Sequence, residues 1–185
     1  IQIDLTDGIF TPRHTIRSEE AWWPAGFLAD FHLMYVDPLP AIQKILQHKP
    51  HLIIVHAEAE GDFDKVLSLC RNHSAKVGIA LLPQTNPDAI FPVLSEIDHV
   101  LIFSGDLGRF GGQADLGNLE KVKALKAHRP SLEVGWDGGV NDQNISELVF
   151  GGIDVLNVGG YIQNSDNPER AFHTLERIAE ETGTT

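Results

Sequence analysis

The sequence predicts an α/β fold, a parallel sheet whose strands alternate with helices and close into a barrel. Three observations predict it. Apolar runs of strand length alternate with segments of helical spacing at about 25 residues per unit, near the minimum for a βα repeat. Runs such as Leu52–Val55 and Val100–Phe103 are apolar on both faces, as in strands covered by helices on both sides. Polar residues then recur where strand after strand ends: Asp4, His32, His56, Ser104, Asp137 and Gly159. In a barrel these ends share one mouth, whereas in an open doubly wound sheet they spread along a crevice. No G-x-G-x-x-G follows the first strand, which removes the usual signature of the open alternative.

The elements follow in order. Ile1, Ile3 and Leu5 alternate with Asp4 on the opposite parity, and Asp7-Gly8 turns the chain. Residues 9–26, with two prolines and Trp22-Trp23, read as a loop with at most a short helix. A strand over Phe31–Val36 leads into a helix opened by Asp37-Pro38, with Leu39, Ile42, Ile45 and Leu46 on one face. Leu52–Val55 is a buried strand ending at His56. Asp62 caps a helix whose inner face is Val66, Leu67, Leu69 and Cys70. Lys76–Leu82 is a strand stopped by Pro83. Asn86-Pro87 opens a helix through Ile97, and Val100–Phe103 is the next strand. A glycine-rich loop, Gly105–Gly117, precedes a Lys-rich helix over Leu119–Ala127. Leu132–Trp136 is a strand, Asn141 starts a helix closed by Gly151-Gly152, and Val155–Val158 is the last strand. Asn167-Pro168 opens the final helix, and Gly183-Thr184-Thr185 reads as a frayed tail. These make seven βα units.

The chain has 185 residues, 42% of them hydrophobic, enough for one domain over residues 1–185 with a sizeable core. Its formal charge of −12 argues against nucleic acid or an anionic membrane as partner. An anionic ligand would instead need backbone N–H groups or a metal. Cys70 is the one cysteine, so no internal disulfide forms, and its place in an apolar helical face marks a core thiol. With no signal peptide and no membrane-spanning run, the expected setting is cytoplasmic. The chain opens in a strand without Met, so processing, trimming or missing leading residues is expected.

Asp4 and Asp137 are the first chemical pair. Each alone reads more readily as a strand-end carboxylate capping nearby N–H groups, and Asp137-Gly138-Gly139 also as a tight turn. With His32 at an equivalent strand end, they form a set of hard O and borderline N donors for a divalent metal: Zn, Fe, Mn or Co. A metal there would polarise a carbonyl and stabilise an enediolate, while the carboxylates moved a proton between the two faces of a carbon. Gly111-Gly112, Gly138-Gly139 and Gly159-Gly160 are ordinary turn chemistry singly. Together, on late βα loops, they read as a phosphate site. His56-Ala57-Glu58 reads as a hydrogen-bonded structural histidine, and Trp22-Trp23 as packing or an oligomer contact.

Asp4-Leu5-Thr6-Asp7-Gly8-Ile9-Phe10-Thr11-Pro12, Phe31-His32-Leu33-Met34, Phe110-Gly111-Gly112-Gln113 and Asp137-Gly138-Gly139-Val140-Asn141 occur in that order. Together, and over essentially the whole chain, they resemble the ribulose-phosphate 3-epimerases. The resemblance implies a (β/α)8 TIM-barrel fold and a cytoplasmic isomerase of carbohydrate metabolism. Its reaction would interconvert the pentose phosphates D-ribulose 5-phosphate and D-xylulose 5-phosphate. It implies Asp4 and Asp137 as the acid/base pair and, with His32, as metal ligands. Arg109, Phe110, Gly111, Gly112, Gly138, Gly139, Gly159 and Gly160, with His32, would line the sugar-phosphate site, and a homo-oligomer is expected.

The sequence also departs from the family pattern. Gln2 stands where the family has a metal-binding His, Thr6 where it usually has Met, Ser104 near where it often has another Met, and Arg109 where it has Gly. The family's first strand–helix unit has no counterpart, so the domain is expected to be N-terminally incomplete. Two alternatives follow. One is a catalytically impaired homologue serving as a phosphosugar-binding or structural barrel. The other, an orotidine-phosphate decarboxylase-like barrel, lacks its required Asp-x-Lys-x-x-Asp strand.

Overall fold

Strands form where the apolar runs lie. In the computed structural model, which describes residues 1–105, 107 and 112–183, they are β1 (Gln2–Thr6), β2 (Asp30–Met34), β3 (Leu52–His56), β4 (Lys76–Leu81), β5 (His99–Phe103), β6 (Glu133–Asp137) and β7 (Val155–Asn157). The helices are α1 (Leu39–Ile45), α2 (Phe63–Asn72), α3 (Leu119–His128), α4 (Ile145–Phe150), α5 (Gly160–Gln163) and α6 (Pro168–Gly183). Strand order follows chain order. Contacts divide the chain into two units: residues 1–82 with 88–100, and residues 83–87 with 101–185.

In the first unit β1 to β4 are parallel neighbours, with Asp4 level with His32 and His32 level with Ile54. β3 is buried along its whole length, as its unbroken apolar run requires. α2 starts where Asp62 accepts the Lys65 N–H at 3.2 Å, and it turns Val66, Leu67 and Cys70 inward. Burial pushes the Cys70 thiol up to about 12. The helix expected from Pro87 to Ile97 is instead a 3-10 helix over Pro87–Val93, because Pro92 within it has no N–H to donate. Trp23 meets Phe31 edge-on at 5.6 Å, whereas Trp22 is 78% exposed.

The second unit packs α3, α4 and α6 through Leu119, Val122, Leu125, Ile145, Leu148, Ala171 and Leu175, around strands that include the fully buried Val134 and Trp136. The helix expected from Asn141 begins at Ile145, because Asn141 to Asn144 are used in a turn. An apolar cleft of about 300 Å³ lies among α4, β7, α5 and α6, lined by Leu156, Ile162, Phe172 and Leu175 among others. None of the predicted site residues lines it.

Each unit carries a device at a strand entrance. Asp98 donates its N–H to the Val77 carbonyl (2.7 Å), and its Oδ2 accepts the Val77 N–H (2.9 Å). Asp154 does the same to Val134, with both bonds at 2.8 Å. Its Oδ2 also accepts from Lys126 Nζ at 2.6 Å. One aspartate thus satisfies both polar groups of a residue opening the neighbouring strand.

Candidate active site at the strand ends

In the first unit the parallel register sets Asp4 and His32 side by side on neighbouring strands, and His56, two residues beyond Ile54, falls on the same face. Asp4 Oδ1 lies 3.2 Å from His32 Nδ1. His32 Nε2 lies 2.8 Å from His56 Nε2, and His56 Nδ1 lies 3.3 Å from Glu58 Oε2. Glu58 Oε1 accepts the Leu82 N–H at 3.2 Å. A line of four titratable side chains therefore runs from the end of β1 to the start of the loop after β3. Both imidazole side chains are 0% exposed, whereas Asp4 keeps 39% of its side chain in contact with solvent.

The environment sets the charge of this line. Burial raises the Asp4 carboxyl. The interaction with His32 and the hydrogen bond from Gln2 outweigh that, so its pKa lies below the ordinary carboxylate value. Burial pulls His56 down to about 4 against the opposing pull of Glu58, so its imidazole is neutral at pH 7. Gln2 turns its amide nitrogen to Asp4, donating to Oδ1 at 2.8 Å.

The loop after β1 is fastened over this line. Asp7 Oδ1 accepts the N–H groups of Ile9 and Phe10, each at 2.8 Å, and Oδ2 accepts that of Val36 at 2.7 Å. Three backbone donors outweigh burial and hold the Asp7 carboxyl below its usual pKa. Phe10 is thereby laid on His56, with ring centroids 4.7 Å apart. Thr6 donates its hydroxyl to the Arg13 carbonyl and is buried, so its polar group serves the loop's own backbone.

In the second unit, Asp137 ends β6 and its carbonyl accepts the Ser104 N–H at 2.7 Å. Gly138 and Gly139 follow at φ +117° and +70°, in the region that favours glycine. A Cβ on Gly138 would sit 2.8 Å from the Ser104 carbonyl carbon, and one on Gly139 would sit 2.5 Å from that of Gln113. Neither position has room for a side chain. Trp136 Nε1 donates to the Gly138 carbonyl at 2.9 Å. Asn141 and Asn144 donate to that of Gly139 at 3.2 and 2.9 Å. Across planar trans peptides, this points the Gly139 and Val140 N–H groups away from those side-chain donors. Ser104 Oγ accepts the Asp115 N–H at 2.7 Å, tying the ends of the glycine-rich loop. A Cβ on Gly159 would meet nothing within 4 Å, so no neighbour dictates glycine there, and Gly160 opens the short α5. Gly112 lies at φ +106°. Arg109, Phe110 and Gly111 lie outside the described residues.

Sequence reasoning missed three groups: the His56–Glu58 extension of the Asp4–His32 pair, the triple anchor of Asp7, and the amides of Asn141 and Asn144. His56-Ala57-Glu58 was read as a hydrogen-bonded histidine, which the contact of His56 with Glu58 bears out, but its approach to His32 was not foreseen.

A model of the ribulose-phosphate 3 epimerase family matches residues 1–163. The ribulose-phosphate 3-epimerase of Helicobacter pylori (strain ATCC 700392 / 26695) is 34% identical over 96% of this chain and 85% of its own length. That of Aquifex aeolicus is 30% identical over 96% and 83%. Among solved structures, 3-hexulose-6-phosphate synthase from Salmonella typhimurium superposes with a TM-score of 0.64 at 14% identity, covering 83% of this chain and 74% of that one. KGPDC from Streptococcus mutans gives 0.65 at 13%, covering 85% and 74%. At these identities the structural likeness speaks for the fold, a (β/α)8-barrel type of which the chain carries about seven units. No helix among the described residues is long and apolar enough to cross a membrane.

Proposed function

From the premise that the chain belongs to the ribulose-phosphate 3-epimerase family, and is an isomerase of that kind, we propose that it interconverts D-ribulose 5-phosphate and D-xylulose 5-phosphate. The observation that carries the reading is the family match across residues 1–163, which spans Asp4, His32 and Asp137. In this reading one (β/α)-barrel domain holds the sugar phosphate. Asp4 and Asp137 face its C3 from opposite sides: one carboxylate takes the C3 proton, and the other, protonated, returns a proton on the other face. The side-chain-free turn at Gly138 and Gly139, whose carbonyls are already taken by Trp136, Asn141 and Asn144, supports assigning the phosphate to Gly138 and Gly139, helped by Gly159, Gly160, Arg109, Phe110, Gly111 and Gly112.

The residues fit a divalent cation. Asp4, His32 and Asp137 offer two carboxylates and one imidazole, and His32 Nδ1 already faces Asp4 Oδ1 with its other nitrogen engaged by His56. Such hard and borderline donors suit Zn, Fe, Mn or Co. A bound cation would polarise the substrate ketone and stabilise the enediolate charge. Phe10 and the loop anchored by Asp7 exclude water from the histidine pair behind the site.

Exchange of the C3 proton with solvent deuterium, followed by NMR on D-ribulose 5-phosphate with added Mn²⁺ or Co²⁺, tests the reading. Asp4→Asn and Asp137→Asn are each expected to slow exchange by about 10²–10⁴-fold. Activity surviving either change would sink the assigned roles. A second reading, a phosphosugar-binding barrel without turnover, is favoured by one contact: the Gln2 amide N–H occupies Asp4 Oδ1, the oxygen that would ligate. It requires that the unaltered protein show neither exchange nor cobalt binding, and that Gln2→His restore both.

A further inference from the structure

We propose that Asn157 is a specificity-determining residue that binds the C4 hydroxyl of the sugar phosphate, the group between the reacting carbon and the phosphate-bearing one. The inference rests on the reading of Asp137 as a carboxylate at C3 and of the glycine turns as the phosphate site. It gives a task to a residue outside both.

The face of β7 on which Asn157 stands follows from the apolar cleft. Leu156 and Val158 line that cleft with residues of α4, α5 and α6, so they point into the helical layer. Side chains alternate along a strand, which turns Val155 and Asn157 to the opposite face. Parallel pairing sets Gly135 level with Val155 and Asp137 level with Asn157. Residues paired in this way share a face and stand about 5 Å apart. The Asn157 amide therefore lies beside the Asp137 carboxylate. Just beyond this level β6 runs into Gly138 and Gly139, and β7 runs into Gly159 and Gly160.

The residue type fits a ligand contact better than packing. Asn157 sits among Val155, Leu156 and Val158, in an element where asparagine is depleted. It is half-buried, and among the described residues no hydrogen bond engages its amide. The amide both donates and accepts, as a hydroxyl partner requires, and it adds no charge next to a carboxylate and a phosphate. On the other side of Asp137, Ser104 is buried and its hydroxyl accepts the Asp115 N–H. With C3 held at Asp137 and the C5 phosphate at the glycine turns, C4 passes between them at the level of Asn157.

The experiment compares D-ribulose 5-phosphate with its 4-deoxy analogue on the full chain with added Co²⁺, by calorimetric binding and by solvent exchange at C3. The unaltered protein is expected to bind the analogue about 5–10-fold more weakly, with kcat/KM for exchange lower to a similar degree. In Asn157→Val, which suits a strand, the two ligands should come within about 2-fold of each other, because the lost contact exists only where the hydroxyl is present. Asn157→Leu, close to asparagine in size, carries the same expectation and serves if the valine variant does not fold. Equal losses on both ligands would mean that Asn157 acts on Asp137 or on the fold, and would overturn the proposal. Discrimination that survives in a folded variant, or that is absent from the unaltered protein, would overturn it as well. Should the unaltered protein bind neither ligand, the sugar-phosphate reading itself fails and the proposal falls with it.

Discussion

Asp154 offers the sharpest test of the strand-entrance device. Its Oδ2 accepts the N–H of Val134 at 2.8 Å and the ammonium of Lys126 at 2.6 Å. Val134 is fully buried, so Asp154→Ala leaves a backbone donor with no protein acceptor and no access to water. Stranding a buried donor costs about 1–3 kcal/mol. The ion pair adds about 0.2–1 kcal/mol, because the Asp154 and Lys126 side chains are 43% and 26% exposed and Lys126 keeps its bond to the Leu132 carbonyl. Asp154→Ala should therefore cost about 2–3 kcal/mol, and Asp154→Asn, which retains an oxygen for Val134, about 1 kcal/mol or less. At about 2–4 °C per kcal/mol for a chain of this size, calorimetry should place the alanine variant about 4–12 °C below the parent and the asparagine variant within about 4 °C of it. Equal losses in the two variants would mean that charge, not the backbone acceptor, matters. No loss in either would refute the device.

Three further outcomes follow from the same structure. Gly138→Ala and Gly139→Ala should each lower stability by about 2 kcal/mol or more, since each adds the cost of a side chain at positive φ to a backbone clash, read as a fall in the urea midpoint. Asp7→Asn should cost about 2 kcal/mol at pH 7, where the ionised carboxylate holds three backbone N–H groups. Because the folded pKa of Asp7 is depressed, its contribution is complete above about 3.8 and lost as pH falls through the lower folded value. The gap between parent and variant should accordingly narrow as pH falls below 3.8 and close once the folded carboxyl is protonated, and a gap that persists at the acid end of urea titrations would contradict the assigned charge. Cys70, with its thiol pushed up to about 12, should resist a thiol-reactive disulfide reagent at pH 8 in the folded chain and react at once in urea.

The strands were legible because burial on both faces leaves an uninterrupted apolar run, as in Leu52–His56. Asp4, His32 and Asp137 were singled out because strand ends in such a fold gather polar groups. What escaped was whatever depends on register. Nothing in the letters says that His32 stands level with Ile54, yet that offset alone puts His56 within 2.8 Å of it. Asp98 and Asp154 were invisible for the same reason: their partners are the openings of neighbouring strands, some 20 residues away in sequence. The helix over Pro87–Ile97 was misread because apolar spacing does not register the missing N–H of Pro92. Asn141 looked like a helix start, whereas its amide, with that of Asn144, braces a carbonyl.

The tie between Ser104 Oγ and the Asp115 N–H, with Gly105 and Gln113 set against the glycine turn, pins both roots of the glycine-rich loop. The cost of closing a chain segment depends mainly on bringing its ends together and grows only logarithmically with its length. Once the ends are held, doubling the span adds about 0.6 kcal/mol. Insertions between Gly105 and Gln113 should therefore be tolerated far better than any change at the roots. A change of length between the two pinned roots is thus a change that the fold on either side need not register.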